Sequence, residues 1–159
     1  MKKIPTLFLQ AVVVFIGIAA LAALVLLPLT EGRAAHLDLV SIYTDPFILY
    51  AYVASIAFFV ALYNAFKLLG YIRQNKIFST NSLKTLKNIR YCATLFGILI
   101  VAAGVYIKLW HDKDDDPAGF LSICFVATLV VVVVIAAVVV FERILKKAIE
   151  IKSENDLTV

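Results

Sequence analysis

The sequence predicts an all-α membrane protein: four transmembrane helices in an antiparallel bundle, both termini inside the cell, and a cytoplasmic extension of the fourth helix. Three observations carry this. The 159 residues are 63% hydrophobic and 16% charged, against about 45–50% and about 25% in ordinary soluble domains, and the mean hydropathy is +0.97. The charges are segregated, leaving four apolar runs long enough to cross a hydrocarbon core of about 30 Å. The basic residues also gather on alternate connections. A water-soluble fold of this size has too little interior for so much apolar surface, so lipid is the solvent for most of the chain.

The segment Gly70 to Arg90 assigns the sides. It holds Arg73, Lys76, Lys84, Lys87 and Arg90 and no acidic residue, and such connections stay cytoplasmic. With it inside, twelve Lys and Arg fall on the inner side: Lys2, Lys3, Lys67, Arg73, Lys76, Lys84, Lys87, Arg90, Arg143, Lys146, Lys147 and Lys152. Three fall outside, at Arg33, Lys108 and Lys113. The chain reads as one domain with spans at approximately 7–29, 47–69, 91–110 and 120–141, a cytoplasmic loop at 70–90 and a tail at 142–159.

Leu7 to Leu29 is 23 residues without a charge, about 35 Å of helix. It is too long for a signal-peptide core and no small-x-small cleavage site follows, so it is read as a retained span. Gly17, Ala19, Ala20, Ala22 and Ala23 form a zone where another helix can approach closely, and Pro28 comes near the end. The first outside loop carries Glu31, Asp38 and Asp45, with a short surface element expected around Leu37 to Tyr43. His36 there is weighed as a pH sensor against an exposed bystander, and the bystander is preferred.

Pro46 suits the first turn of the second span, where its missing N–H costs nothing. Tyr43, Tyr50 and Tyr52 fit an interfacial aromatic belt. Ala57, Ala61 and Ala65 recur every four residues as a smooth packing ridge, and Asn64 reads as structural glue more than as a ligand contact. Ser79, Thr80 or Asn81 can cap a helix that begins in the interfacial region before the third span. Lys108 snorkels beside Tyr106 and Trp110 at the outer end.

The second outside loop clusters His111, Asp112, Asp114, Asp115 and Asp116. It lacks the spacing of a calcium-binding EF-hand and reads as a solvated turn. Val130 to Val140 resembles a buried strand locally, but the 22-residue run from Phe120 to Phe141 is a membrane helix. Beyond it, Glu142–Lys146 and Lys146–Glu150 have helical ion-pair spacing. The helix is therefore expected to continue two or three turns before the polar end Ser153 to Val159. Cys92 and Cys124 lie about 20 Å apart in depth and do not read as a disulfide.

The stretch from Pro46 to Ala93 and the ending SENDLTV resemble the bacterial membrane proteins grouped as domain of unknown function 2975. Phe78, Ser79, Asn81, Leu86 and Ile89 match that family's basic loop, and Glu154 to Val159 match its end. The resemblance implies a four-helix protein of a bacterial cytoplasmic (inner) membrane and no assigned activity. Members are often encoded beside small helix-turn-helix regulators, which implies a regulatory pair.

No catalytic constellation is visible: no H-E-x-x-H, G-x-S-x-G, C-x-x-C or phosphate-binding glycine loop. No acidic residue lies inside a span, where proton- or ion-coupled transport would want one. The expectation is a non-enzymatic interaction, sensing or regulatory protein without a cofactor. The alternative is a small channel, transporter or lipid-binding protein working as an oligomer. The candidate interaction or lipid-headgroup contacts are Arg73, Lys76, Phe78, Ser79, Asn81, Lys84, Lys87 and Arg90 in the loop, and Glu154, Asn155, Asp156 and Leu157 in the tail. Expected partners are membrane lipids through anionic headgroups, and a protein partner or a second copy. Basic residues beside apolar runs favour headgroups over nucleic acid.

Overall fold

Local sequence sets the helix boundaries before any packing. In the structure, a computed structural model describing residues 3–30, 38–110 and 116–157, five helices are formed. They are α1 (Lys3–Thr30), α2 (Leu39–Tyr43), α3 (Pro46–Arg73), α4 (Thr80–Trp110) and α5 (Ala118–Asp156). All but the short α2 are long and apolar enough to cross a membrane. Asp45 caps α3 by accepting the Phe47 N–H at 2.8 Å, with Pro46 in the first turn. Asp116, of the acidic cluster, accepts the Ala118 N–H at 3.0 Å where α5 begins. His36 and the remainder of that cluster, His111 to Asp115, lie outside the described residues.

Two helices run further than the sequence reading expects. In the basic segment 70–90, α3 continues past Leu69 to Arg73, while α4 starts at Thr80, where the capping residues place it. The polar end of the chain is also helical as far as Asp156. Ser153 and Asn155 carry no backbone constraint that breaks a helix, and the Lys146–Glu150 pair at 4.0 Å supports the turn before them.

The long helices pack in chain order, α1 on α3, α3 on α4 and α4 on α5. Among the described residues, no comparable contact joins α1 to α4 or α5. Small residues set the close approaches. A Cβ at Gly17 would stand 3.2 Å from Leu62 Cδ2, and one at Gly97 would stand 3.0 Å from Val131 Cγ1. The alanine ridge of α3 turns inward, with Ala54 and Ala57 buried and Ala61 and Ala65 half-buried. Phe58 meets Phe96 at 5.6 Å, and Phe47 meets Phe120 edge-on at 5.4 Å. Cys124 lies against Gly104, and both cysteines are free.

Most side chains along the spans are exposed, and none in the most apolar stretch of α5 is buried. That distribution suits a lipid solvent, in which apolar side chains gain nothing by hiding from the surroundings. Burial concentrates instead at the basic end. Ser82, Thr85, Leu86 and Ile89 of α4 and Glu142 and Leu145 of α5 are all buried there, with Leu86 and Leu145 at 3% exposure.

Tyr43 and Tyr52 do more than line an interface. Pro28 has no N–H, so the Leu24 carbonyl four residues earlier has no helical donor, and the ring crowds the adjoining turn. The Tyr52 hydroxyl donates to that Leu24 carbonyl at 3.2 Å. The Tyr43 hydroxyl donates to the Val25 carbonyl at 3.0 Å. A backbone defect in α1 thereby fastens α1 to α3 and to α2. Tyr50 makes a corresponding bond from α3 to the Leu99 carbonyl of α4, at 2.6 Å. Tyr52→Phe is expected to cost about 1 kcal/mol in reversible unfolding in detergent. In a Pro28→Ala background, where residue 28 donates its own N–H, the cost should fall close to zero. An equal cost in both backgrounds would separate the hydroxyl from the proline.

Candidate functional site

The basic end is assembled from the starts of α1 and α4 and the ends of α3 and α5. Its turn is tightly made. Asn75 adopts φ 55°, a left-handed conformation that asparagine tolerates better than most residues. The Asn75 N–H bonds the Ile72 carbonyl at 3.1 Å and the Lys76 N–H bonds the Tyr71 carbonyl at 2.9 Å. This is a Schellman closure of α3. On the far side, Ser79 Oγ accepts the Ser82 N–H at 3.3 Å and caps α4. The Ser82 hydroxyl, fully buried, donates to the Lys76 carbonyl at 3.1 Å. The connection between the helices is thus a closed turn of residues 74–79.

The candidate residues fall into separate groups. Arg73 is exposed in the last turn of α3 and, with Gln74 and Asn75, faces Ile4 and Leu7 of α1 across an open groove. Lys76 and Phe78 are exposed on the turn, while the Ser79 hydroxyl is engaged as the cap. Asn81 is exposed, and its carbonyl accepts the Thr85 hydroxyl at 2.9 Å. Lys84 and Lys87 project from the exposed face of α4. Glu154, Asn155, Asp156 and Leu157 form the exposed end of α5, with Leu157 at 85% exposure.

Arg90 belongs to the interior of the assembly. Its Nε lies 3.3 Å from Glu142 Oε1 across the α4–α5 seam, and its guanidinium sits 5.1 Å from the centre of the Tyr91 ring. The contact is ionic rather than a well-aligned hydrogen bond, because Oε1 is buried without a hydrogen-bond donor. Glu142 therefore turns to Arg90 and not to Lys146, as the four-residue spacing predicts. A carboxylate at a helix–helix seam gains more from a partly desolvated guanidinium than from a lysine exposed to water.

Two buried polar side chains of α1, Thr6 and Gln10, escape a reading that counts charges alone. Gln10 Nε2 donates to the Phe66 carbonyl of α3 at 3.4 Å. The signal was an amide early in an otherwise apolar run, placed a whole number of turns from Gly17 and Leu24 on the same face. Asn64, buried on α3, donates back to the Val60 carbonyl of its own helix at 2.8 Å. Among the described residues, no group of three or more His, Cys, Asp or Glu is placed to hold a metal ion.

Taken together, these features define a multi-pass helical membrane protein in which a few polar side chains, Gln10, Tyr43, Tyr50, Tyr52 and the Arg90–Glu142 pair, fasten one helix to another. The family profile described as "Protein of unknown function (DUF2975)" matches residues 28–159. The chain is also similar to a protein of Bacillus subtilis (strain 168) described as "Uncharacterized membrane protein YoaS". The two are 41% identical over 161 residues, covering 100% of each chain. The chain belongs to the DUF2975 family. No solved structure matches it.

Removing Arg90 alone leaves the Glu142 carboxylate at the seam without a counter-charge. Arg90→Gln is expected to lower unfolding stability in detergent by about 2 kcal/mol, and Arg90→Leu with Glu142→Leu to recover most of that loss. Lys146→Gln, which removes an exposed pair, should change stability by less than about 0.5 kcal/mol. If the double variant is as unstable as the single one, the pair does not set the seam.

Proposed function

We propose that this is a bacterial cytoplasmic-membrane protein, antiparallel in its four spans and with both termini inside. In this reading its basic end is a non-enzymatic docking and sensing surface. The orientation rests on the distribution of Lys and Arg, twelve against three. The antiparallel arrangement is supported by contacts that pair one end of a helix with the opposite end of the next: Gln10 with Phe66, Leu24 with Tyr52, and Arg90 with Glu142.

The observation that carries the docking reading is the continuation of α5 for about four turns beyond Phe141. From the level of Arg90 and Glu142, α5 reaches about 21 Å further and α4 about 15 Å, so about the last turn of α5 stands clear of the start of α4. Ile144, Ile151 and Leu157 are exposed on this extension. A projecting helix with exposed apolar residues among charges is the form in which helices enter a partner's groove. Lys84 and Lys87 meanwhile remain available to anionic headgroups. The buried hydroxyls of Ser82 and Thr85 are engaged in capping and backbone bonds, which supports a structural rather than catalytic use of this end.

Two experiments test the reading. In a Cys92→Ala, Cys124→Ala background, Lys87→Cys should react with an impermeant thiol reagent only in inverted vesicles, and Asp116→Cys only in intact cells. The reverse pattern would invert the topology. Photocrosslinking residues at Leu157 and at Lys87 should capture the same discrete protein in the native membrane, while one at Asp116 should not. Lipid adducts alone at all three positions would remove the docking function.

A further inference from the structure

We propose that the groove between the start of α1 and the end of α3 binds one anionic phospholipid of the cytoplasmic leaflet. The proposal rests on the cytoplasmic placement of the basic end given above and adds a specific ligand site to it. The groove arises from the way two helices part. Gln10 and Gly70 bring α1 and α3 close, since a Cβ at Gly70 would lie 3.7 Å from Gln10 Nε2. At Asn75 the chain turns off the axis of α3, so the first turns of α1 run on beside a helix end. What remains is an open space of about 650 Å³ bounded by Ile4, Leu7, Arg73, Gln74 and Asn75.

The lining divides as a phospholipid divides. Ile4 and Leu7 offer exposed aliphatic surface for the upper acyl chain. Arg73 offers a guanidinium, suited to a phosphate. Gln74 and Asn75 offer side-chain amides for ester or headgroup oxygens. Opposition to an anion from the carbonyls at the end of α3 is reduced, because those of Gly70, Tyr71 and Ile72 already accept the N–H groups of Gln74, Lys76 and Asn75. The sign of the ligand follows from the same surroundings. No acidic residue lies between Gly70 and Arg90, so a zwitterionic headgroup finds no carboxylate for its cationic group, while an anionic one meets Arg73.

The test uses the full chain in detergent, exchanged against equal amounts of phosphatidylglycerol and phosphatidylcholine, with retained lipid read by native mass spectrometry. The wild type should hold one phosphatidylglycerol per chain in preference to phosphatidylcholine. Arg73→Gln should reduce that preference about fivefold, the value of one basic side chain at a membrane surface. Lys76→Gln removes the same charge from a residue outside the groove lining and should leave the preference within about twofold. Leu7→Trp should fill the groove and displace both lipids, with an unchanged melting temperature showing that the fold is intact. Equal losses in Arg73→Gln and Lys76→Gln, or equal retention of the two lipids by the wild type, would overturn the groove as a site. This readout is independent of crosslinking from Leu157, so the groove and the docking surface can fail separately.

Discussion

Everything in this protein is conditioned by the need to satisfy backbone polar groups where no water can do so. Within hydrocarbon an unpartnered carbonyl costs several kcal/mol, and the described breaks in the helices are all met by donors, within the spans and at the basic end. Pro28 frees the Leu24 carbonyl and a tyrosine from α3 reaches it. Asn75 closes α3 through backbone bonds alone, and Ser79 with Ser82 opens α4. The repair at Pro28 also holds the molecule together, because the hydroxyls that reach the Leu24 and Val25 carbonyls belong to α3 and α2.

The rest of the cohesion is unevenly spread, and the reason is the solvent. Between lipid-exposed helices there is no hydrophobic driving force, so contact depends on close approach and on polar bonds. Gly17 and Gly97 supply the approach, and Gln10 and Tyr50 supply the bonds. At the basic end the helices leave the hydrocarbon, and ordinary burial becomes worthwhile again. Leu86, Ile89 and Leu145 gather there around the seam that Arg90 and Glu142 also occupy. The functional reading follows from the same division: the spans present little beyond lipid-facing apolar surface, while the basic end combines a firm base with exposed lysines, a projecting helix and an open groove.

The exposed and the committed residues of that end were not separable by residue type. Arg73 and Arg90 look alike in the sequence, both basic and both beside an apolar run. One stands at a groove and the other faces a carboxylate on a different helix. Ser79 and Asn81 likewise read as either caps or contacts in the sequence; Ser79 caps α4, while Asn81 lies in its first turn with an exposed side chain.

Composition, run length and local chemistry determined four membrane-length helices, the proline at the start of α3 and the helical start near Ser79. Each of these depends on residues adjacent in the chain, so the chain alone specifies it. Tertiary structure decided the series order of the helices, the choice of Arg90 over Lys146 as the partner of Glu142, the use of Tyr43 and Tyr52 on the carbonyls near Pro28, and the groove beside Arg73. These join residues up to about seventy positions apart, and nothing in a single sequence states which helix faces which. An i,i+4 spacing is visible in one dimension, whereas the lower-dielectric seam that makes a different partner the better one exists only after the helices have packed.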